Sequence, residues 1–424
     1  MAIRSLIHFG EHPMQTMKAV IKEKPIEGKE WKKGLQLIER EVPVIQKPNE
    51  IKLQVLAAAI CGTDVGIYNG KQSIRDEMKG LEKPYVTVGH EFCGKIVEAG
   101  DLAREHLASL VVKENASDKT VQSFVKGRGV RDVARDSGFI EMLDEQFVMS
   151  SEMHITCGTC YQCRTGQRHV CRHTIIKGIH DDGAFAKYVV VPMENIVLFR
   201  KGEIPVEVIA FMDAIGNATH TAQSVNLMGQ SVAILGCGVQ GLAATAITRY
   251  SGASKIFVTD ASHGNVTTEK LEQGRFRLAR KFGADYCFDV SLESGREKFL
   301  SKVFEETNGT GVDVVFEMSG NYRAYSDAFD AVRMGGTISL LGLPEGDMKI
   351  DFSKDVIFKG ITIHGIIGRR MFETWEAMRA MLKHGLADKL VESGFITHDL
   401  PLEKFEDGFA AIRAGDALKV ILRP

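Results

Sequence analysis

Two hydrophobic rhythms divide the chain. Over the first 100 residues apolar and polar positions alternate in short runs, clearest at Lys18–Ile21, Ile51–Ala59 and Gly94–Glu98. Period-two alternation marks strands with one buried face, so a compact, mostly β unit is expected there. The run "MKAVI" from Met17 reads as its first strand, and the sixteen residues before it as an extension. From about Val206 the rhythm changes to helix, strand, helix. Val206–Leu227 reads as one long helix, "SVAIL" as a strand, and Leu242–Tyr250 as an apolar helix. Lys255–Asp260, Val312–Glu317, Thr337–Leu341 and Ile361–His364 read as further strands with helices between them. This alternation predicts a mostly parallel sheet with helices on both faces, an α/β doubly wound unit.

Between these units the pattern is less regular. Residues 101–145 are charged and helix-prone, as in "DLAREHLASLVV" and "VRDVARDSGFIEML". An inserted helical excursion is expected, with a disordered loop as the alternative. β-type pieces such as Ala184–Val191 follow. The last stretch carries amphipathic helices at Glu373–Leu382 and Lys404–Ala411. Its end, "KVILRP", offers a strand at Val420–Leu422 that can return to the first unit.

A length of 424 residues allows two or three domains with real cores. Apolar residues at 44%, charged residues at 25% and a net charge of −2 argue against a global pull toward nucleic acid or an anionic membrane. No signal-type N-terminus and no run of 18 apolar residues is visible, so a cytoplasmic protein without a membrane span is expected.

Chemistry enters at two places. Gly236, Gly238 and Gly241 form G-x-G-x-x-G directly after a strand, and Val239 opens the helix. That context lets pyrophosphate approach the backbone and meet the helix N-terminus. Asp260 ends the next strand, where it can accept from ribose hydroxyls and repel an added phosphate, so NAD is favoured over NADP. Lys270 or Arg275, in or just after the insert-like stretch 262–274, are the residues that could fold back and tolerate a phosphate. The second place is the C-x2-C-x2-C-x7-C run of Cys157, Cys160, Cys163 and Cys171. Four cysteines without an open position describe structural zinc. An iron–sulfur centre is the alternative. Nearby Arg164, Arg168 and Arg172 raise a nucleic-acid reading, but aromatic platforms and a wider basic field are missing.

Cys61 in "CGTD", His90 and Glu91 in "VGHEF", and Asp213 in "FMDAIGNATHT" are each unremarkable, and spacing alone does not join them. The stretches "AICGTDVGIYNG", "VGHEF", "HITCGTCYQCRTGQRHVCRHT", "DAIGNATHTA", "FEMSG", "FKGITIHGIIGRRMFETW" and "KVIL" together resemble the zinc-containing medium-chain alcohol dehydrogenases. The run through Arg369, Arg370, Met371 and Phe372 points to the threonine dehydrogenase group among them.

The resemblance implies a GroES-like β-rich catalytic domain (17–205 plus 366–424, with a zinc lobe at 154–173) and a Rossmann domain (206–365). It implies two zinc ions per chain, one catalytic at Cys61, His90, Glu91 and Asp213 and one structural at the four cysteines, and a homotetramer. The implied reaction is oxidation of a small polar secondary alcohol by hydride transfer to NAD+, with Thr63 starting a proton relay. His154 is implied in substrate handling, with orientation of groups around the cysteine cluster as the alternative. The group carries a histidine at the position of Gly66. Its loss here is expected to enlarge the pocket or change its polarity, which keeps polyol, cyclitol and aminocyclitol substrates open. A non-catalytic zinc- and nucleotide-binding scaffold is the reading from another class.

Overall fold

The structure, a computed structural model, describes residues 15–114 and 119–424. The N-terminal extension therefore lies, up to residue 14, outside the described residues, and the first strand begins at Thr16.

The first unit is built on antiparallel pairing. Its long strand Glu50–Ala59 alternates as the sequence predicts, burying Ile51, Leu53, Val55 and Ala57. Around it runs a seven-stranded sheet in the order Ile196–Arg200, Phe147–Ser151, Glu91–Ala99, Glu50–Ala59, Lys419–Arg423, Ile396–Pro401. The strand Tyr188–Pro192 pairs with Glu50–Ala59 off that path. The chain's late strand does return: Ile421 pairs with Ala59 and Leu422 with Ala58. A separate sheet places Thr16–Glu23 between Gln36–Glu41 and Tyr85–Thr87.

The excursion after Ala99 is helical, at Asp101–Glu114, Lys119–Val125, Val130–Arg135 and Phe139–Gln146. It is no separate subdomain. Leu107, Val111, Val121, Val133, Phe139 and Leu143 are buried in the same apolar cluster as Ile51, Leu53 and Val55. The last of its helices runs directly into Phe147–Ser151, a neighbour of Glu91–Ala99.

The second unit is a six-stranded sheet with every pairing parallel. Its order is Tyr286–Asp289, Lys255–Asp260, Ser231–Leu235, Val312–Glu317, Val332–Leu340, Thr362–Gly365. Numbered along the chain this is 3-2-1-4-5-6, with the switch point beside Ser231–Leu235, where open α/β sheets bind dinucleotides. Two expectations need correction. The strand Tyr286–Asp289 is absent from the sequence reading, because it is four residues long, sits at the sheet edge and is only half-buried throughout. The stretch 206–227 is two helices, Val206–Ala210 and Met212–Gln223. Phe211, at φ −108° and ψ 25°, leaves helical geometry and separates them.

One cluster spans both units, joining Ala57, Cys93 and Phe199 to Phe211, Ile215, Val232, Ile234 and Trp375. The two sheets are thus braced by a common core. No helix among the described residues is long and apolar enough to cross a membrane.

Sharing of the first core by the helical excursion has a measurable consequence. Phe139→Ala should lower unfolding stability by about 3–5 kcal/mol in denaturant titration. A loss under about 1 kcal/mol would mean that the excursion is only draped on the surface.

Candidate functional site

Cys61 stands at the N-cap of the helix Gly62–Asn69, and its N–H donates to the Asp64 carboxylate at 2.9 Å. A helix N-terminus favours a thiolate. His90 and Glu91 lie where a tight loop enters the strand Glu91–Ala99. That loop is held from behind: a Cβ on Gly183 would fall 2.0 Å from the Gly89 carbonyl. Asp182 beside it takes both Arg40 nitrogens, at 2.8 and 3.0 Å, and the Thr87 N–H at 2.9 Å. Burial opposes ionisation of Asp182, but hydrogen bonds from Arg40 and Thr87 and the charges of Arg40 and Lys83 hold it well below the usual carboxylate range. Asp213 comes from the other unit's side, in the first turn of Met212–Gln223.

These four residues converge. One ligand atom each from Cys61, His90, Glu91 and Asp213 lies within 4.8 Å of the others, and all but Cys61 are buried. His90 Nδ1 and Glu91 Oε1 have no hydrogen-bond partner among the described residues. Sulfur, imidazole and carboxylate donors around unpartnered polar atoms fit a zinc ion. The surroundings press the same way. Burial alone would lower His90, yet the Asp64 carboxylate and the Cys61 sulfur raise it to about 10. Burial pushes the Cys61 thiol and the Asp64 and Glu91 carboxyls up, so these groups ionise fully only with a cation held close among them.

Two buried cations frame it. Lys419, on the returning strand, pairs with Glu91 and donates to the Ile60 carbonyl at 3.1 Å. Burial works against its charge, and Glu91, Cys61 and Asp213 more than offset that, so its ammonium is raised. Arg369 sits 2.7 Å from Asp213 Oδ1 and donates to Asn217 Oδ1 at 3.1 Å. Gly216 makes room for it, since a Cβ there would stand 2.3 Å from Arg369 Cδ. On its far side Arg369 binds Glu152, which also receives the Trp375 indole N–H at 2.8 Å and the His154 ring at 2.8 Å. Of this outer ring the sequence reading assigned a role only to His154. Asp64, Glu152, Arg369 and Lys419 were missed. The available signals were an aspartate three residues into a helix, and single charges inside the apolar runs "FVMSSEMHI" and "ALKVIL".

Thr63 Oγ1 lies 4.0 Å from Cys61 Sγ, at the edge of the cluster. The expectation that Gly66 opens the pocket is not met. A Cβ at Gly66 would fall 2.5 Å from Ile74 Cδ1, so an isoleucine of the next helix already fills that space. The position is apolar rather than enlarged.

The cysteine lobe is compact. Sγ–Sγ separations are 3.6 Å for Cys157–Cys171, 3.8 Å for Cys160–Cys171 and 4.0 Å for Cys157–Cys163. Tetrahedral bonds of about 2.3 Å require sulfurs about 3.8 Å apart, so one ion fits, while a cluster of several irons and sulfides does not. Amide N–H groups of Cys160 and His173 point at these sulfurs, 3.4 Å away. His154 belongs to the Glu152–Arg369 network, and the strand His154–Ile155 pairs with Ile175–Ile176 at the base of the lobe.

In the second unit Gly236 takes φ +106°, and a Cβ on Gly241 would fall 1.8 Å from the Gly236 carbonyl. Only glycine permits that helix to press against the turn. Gly238 caps the helix Val239–Tyr250, and a Cβ there would meet nothing. Asp260 receives the Ala261 N–H at 2.9 Å and Arg275 at 2.8 Å. Arg275 therefore folds back onto Asp260. Lys270 does not: it pairs with Asp416 at 2.6 Å. The helix Met212–Gln223 packs along Val239–Tyr250, which ties Asp213 to the glycine loop.

Comparison with known proteins agrees with this architecture. Residues 47–130 and 144–201 match the alcohol dehydrogenase GroES-like domain, and residues 240–384 match the zinc-binding dehydrogenase family. A relative named L-threonine 3-dehydrogenase from Caldanaerobacter subterraneus subsp. tengcongensis is 36% identical over 93% of this chain and 96% of its own length. Another of that name from Bacillus velezensis is 36% identical over 96% and 99%. The structure of an alcohol dehydrogenase from Thermotoga maritima superposes with a TM-score of 0.73 at 22% identity, covering 97% of this chain and all of that one. This last likeness concerns the fold.

Two measurements probe the site. Cys61→Ser should lower bound zinc by about one ion per chain in elemental analysis, with the cysteine lobe still loaded; unchanged metal content would remove Cys61 from the ligand set. Asp182→Asn should cost about 1–3 kcal/mol at neutral pH. Because the folded carboxyl is depressed, its stabilisation is full above the unfolded value near 4 and is lost as pH falls below it. Denaturation across pH should show the gap between wild type and variant closing in acid; a gap independent of pH would contradict the assignment.

Proposed function

The chain belongs to the zinc-dependent alcohol dehydrogenase family and is an oxidoreductase, and from that premise we propose that it oxidises a small polar secondary alcohol, L-threonine foremost, with NAD+ as hydride acceptor. The observation that carries this reading is the convergence of Cys61, His90 and Glu91 with Asp213 of the helix Met212–Gln223. A zinc ion held there supplies Lewis acidity that makes the alcohol proton easier to lose, and the nicotinamide supplies the hydride acceptor.

The chain's own residues do the rest. Thr63 takes the hydroxyl proton, its own hydroxyl both accepting and donating. With Ile74 filling the space at Gly66, the proton moves on through cofactor hydroxyls or water rather than through that position. Gly236, Gly238, Val239 and Gly241 seat the pyrophosphate, and Asp260 takes the ribose hydroxyls with Arg275 steadying it. Asp260 at the strand end supports NAD over NADP. The four cysteines hold a second, structural zinc.

We place the protein in the cytoplasm as a homotetramer. The edge strand Thr362–Gly365, with Phe358, Ile363 and Ile367 exposed around it, supports an assembly of identical chains.

An absorbance screen for reduced nicotinamide tests the reading, with amino alcohols, polyols and cyclitols each offered NAD+ and NADP+. L-threonine with NAD+ should give the highest kcat/KM, at least about tenfold above NADP+. Turnover of threonine no faster than that of simple polyols would displace it as the substrate.

A further inference from the structure

The glycine turn has a charged neighbour that the metal and proton chemistry leaves unused. The side chain of Glu317, in the run "FEMSG", is wholly buried at the end of the strand Val312–Glu317. Its Oε1 accepts from the Ser319 N–H at 2.8 Å, from the Gly320 N–H at 3.0 Å and from the Ser319 hydroxyl. That hydroxyl is free to donate, because Ser319 Oγ accepts in turn from the Asn321 N–H at 3.1 Å. Burial pushes the Glu317 carboxyl up, and the hydrogen bonds from Ser319 and Gly320 act against that. Three donors on one oxygen wrap residues 318–320 into a turn around the side chain.

Both faces of this turn are packed. On one, a Cβ at Gly236 would stand 2.9 Å from Ser319 Cβ, so the turn closes on the glycine loop itself. On the other, a Cβ at Gly342 would fall 2.5 Å from Glu317 Oε2 and against the Gly320 nitrogen. The Glu317 carbonyl takes the N–H groups of Leu341 and Gly342, at 3.0 and 3.2 Å. Glu317 thus ties together the glycine loop, the turn 318–320 and the loop 341–345 that follows the strand Val332–Leu340. The last of these reaches Glu345, 3.1 Å from Lys71 of the first unit. Asp260 stands on the other side of Ser231–Leu235 from Glu317. A dinucleotide crosses such a sheet at the glycine turn. With its adenosine ribose on Asp260, its nicotinamide half lies on the side that Glu317 holds.

We infer that Glu317 is a positioning residue for the nicotinamide half of the dinucleotide. Its carboxylate acts through the turn 318–320, which it presses against Gly236, and so fixes the floor on which that half is seated. The dinucleotide part rests on the reading under Proposed function; the anchoring of the turn does not.

The test uses the whole, zinc-loaded protein. Glu317→Ala leaves buried donors without an acceptor beside the seat, and should weaken NADH binding by about 10- to 100-fold in fluorescence titration. Binding of AMP, which reaches only the Asp260 side, should change less than about twofold. Glu317→Gln keeps an acceptor for the Ser319 and Gly320 amides and should recover most of the loss. Amide exchange followed by mass spectrometry should quicken by at least about tenfold at 318–321 in Glu317→Ala, while Val232–Leu235 keeps its protection. If Glu317→Ala does not fold, Glu317→Asp, which draws the oxygens back by one methylene, takes its place. Equal weakening of NADH and AMP overturns the inference, because it marks damage to the whole sheet. NADH affinity within about twofold of wild type, a Glu317→Gln no better than Glu317→Ala, or unchanged exchange at 318–321 overturns it as well. A wild type that takes only NADPH overturns the NAD preference, and NADPH then replaces NADH in the comparison. A wild type that binds neither overturns the nucleotide reading instead, and the exchange then still decides the anchoring.

Discussion

The structure turns on a balance of buried charge. Cys61, Asp64, Glu91 and Asp213 gather in a buried region, and among the described residues His90, Lys419 and Arg369 face them as positive partners. Taking so many ionisable groups out of water costs several kcal/mol for each ion that is not well compensated. Two fixed cations cover the outer oxygens of Glu91 and Asp213, while the inner ligand atoms stay unpaired and directed at one point. A divalent ion would complete that balance, and its affinity would express how the surrounding fold distributes its charges. The glycines behind Gly89, the cap at Cys61 and the gap at Gly216 all serve to bring these groups close.

The two units are held in register by the same contacts. Arg369 lies just beyond the last strand of the parallel sheet, yet it reaches Glu152 in the antiparallel unit and Asp213 and Asn217 on the linking helix. Trp375 then fills the core that both units share. Hydride transfer depends on holding two reactants within a few tenths of an ångström of their productive geometry. A guanidinium tied at both ends joins the two units without a covalent link, and the shared apolar core holds them from behind.

Much of this was legible in the chain, and the failures share a cause. Glycine spacing after a strand, four cysteines at short intervals and strict alternation in Glu50–Ala59 are local patterns, and each sits where its pattern requires. The convergence of Cys61, His90, Glu91 and Asp213 spans more than 150 residues of sequence and was reached only by resemblance. Lys419 and Glu152 look like ordinary strand residues until their partners, 328 and 217 residues away, are placed. Gly66 misled for the opposite reason. A missing side chain reads as open space, whereas a neighbour eight positions on had taken that space. Local chemistry can be read from a string; compensation at a distance cannot.

The return of the strand Lys419–Arg423 to Ala58–Ala59 has a consequence for biosynthesis. The first sheet is begun early on the ribosome, but it waits for some 360 further residues before its missing neighbour arrives. The parallel sheet, complete by Gly365, has all its strands available well before then. Nascent chains should therefore emerge with the nucleotide half folded and the metal half unfinished, with Glu91 still without its ammonium partner. Completion of the convergent site is thereby deferred to the end of translation, and a message cut short by a few codons would yield a chain that can neither close its sheet nor pair Glu91.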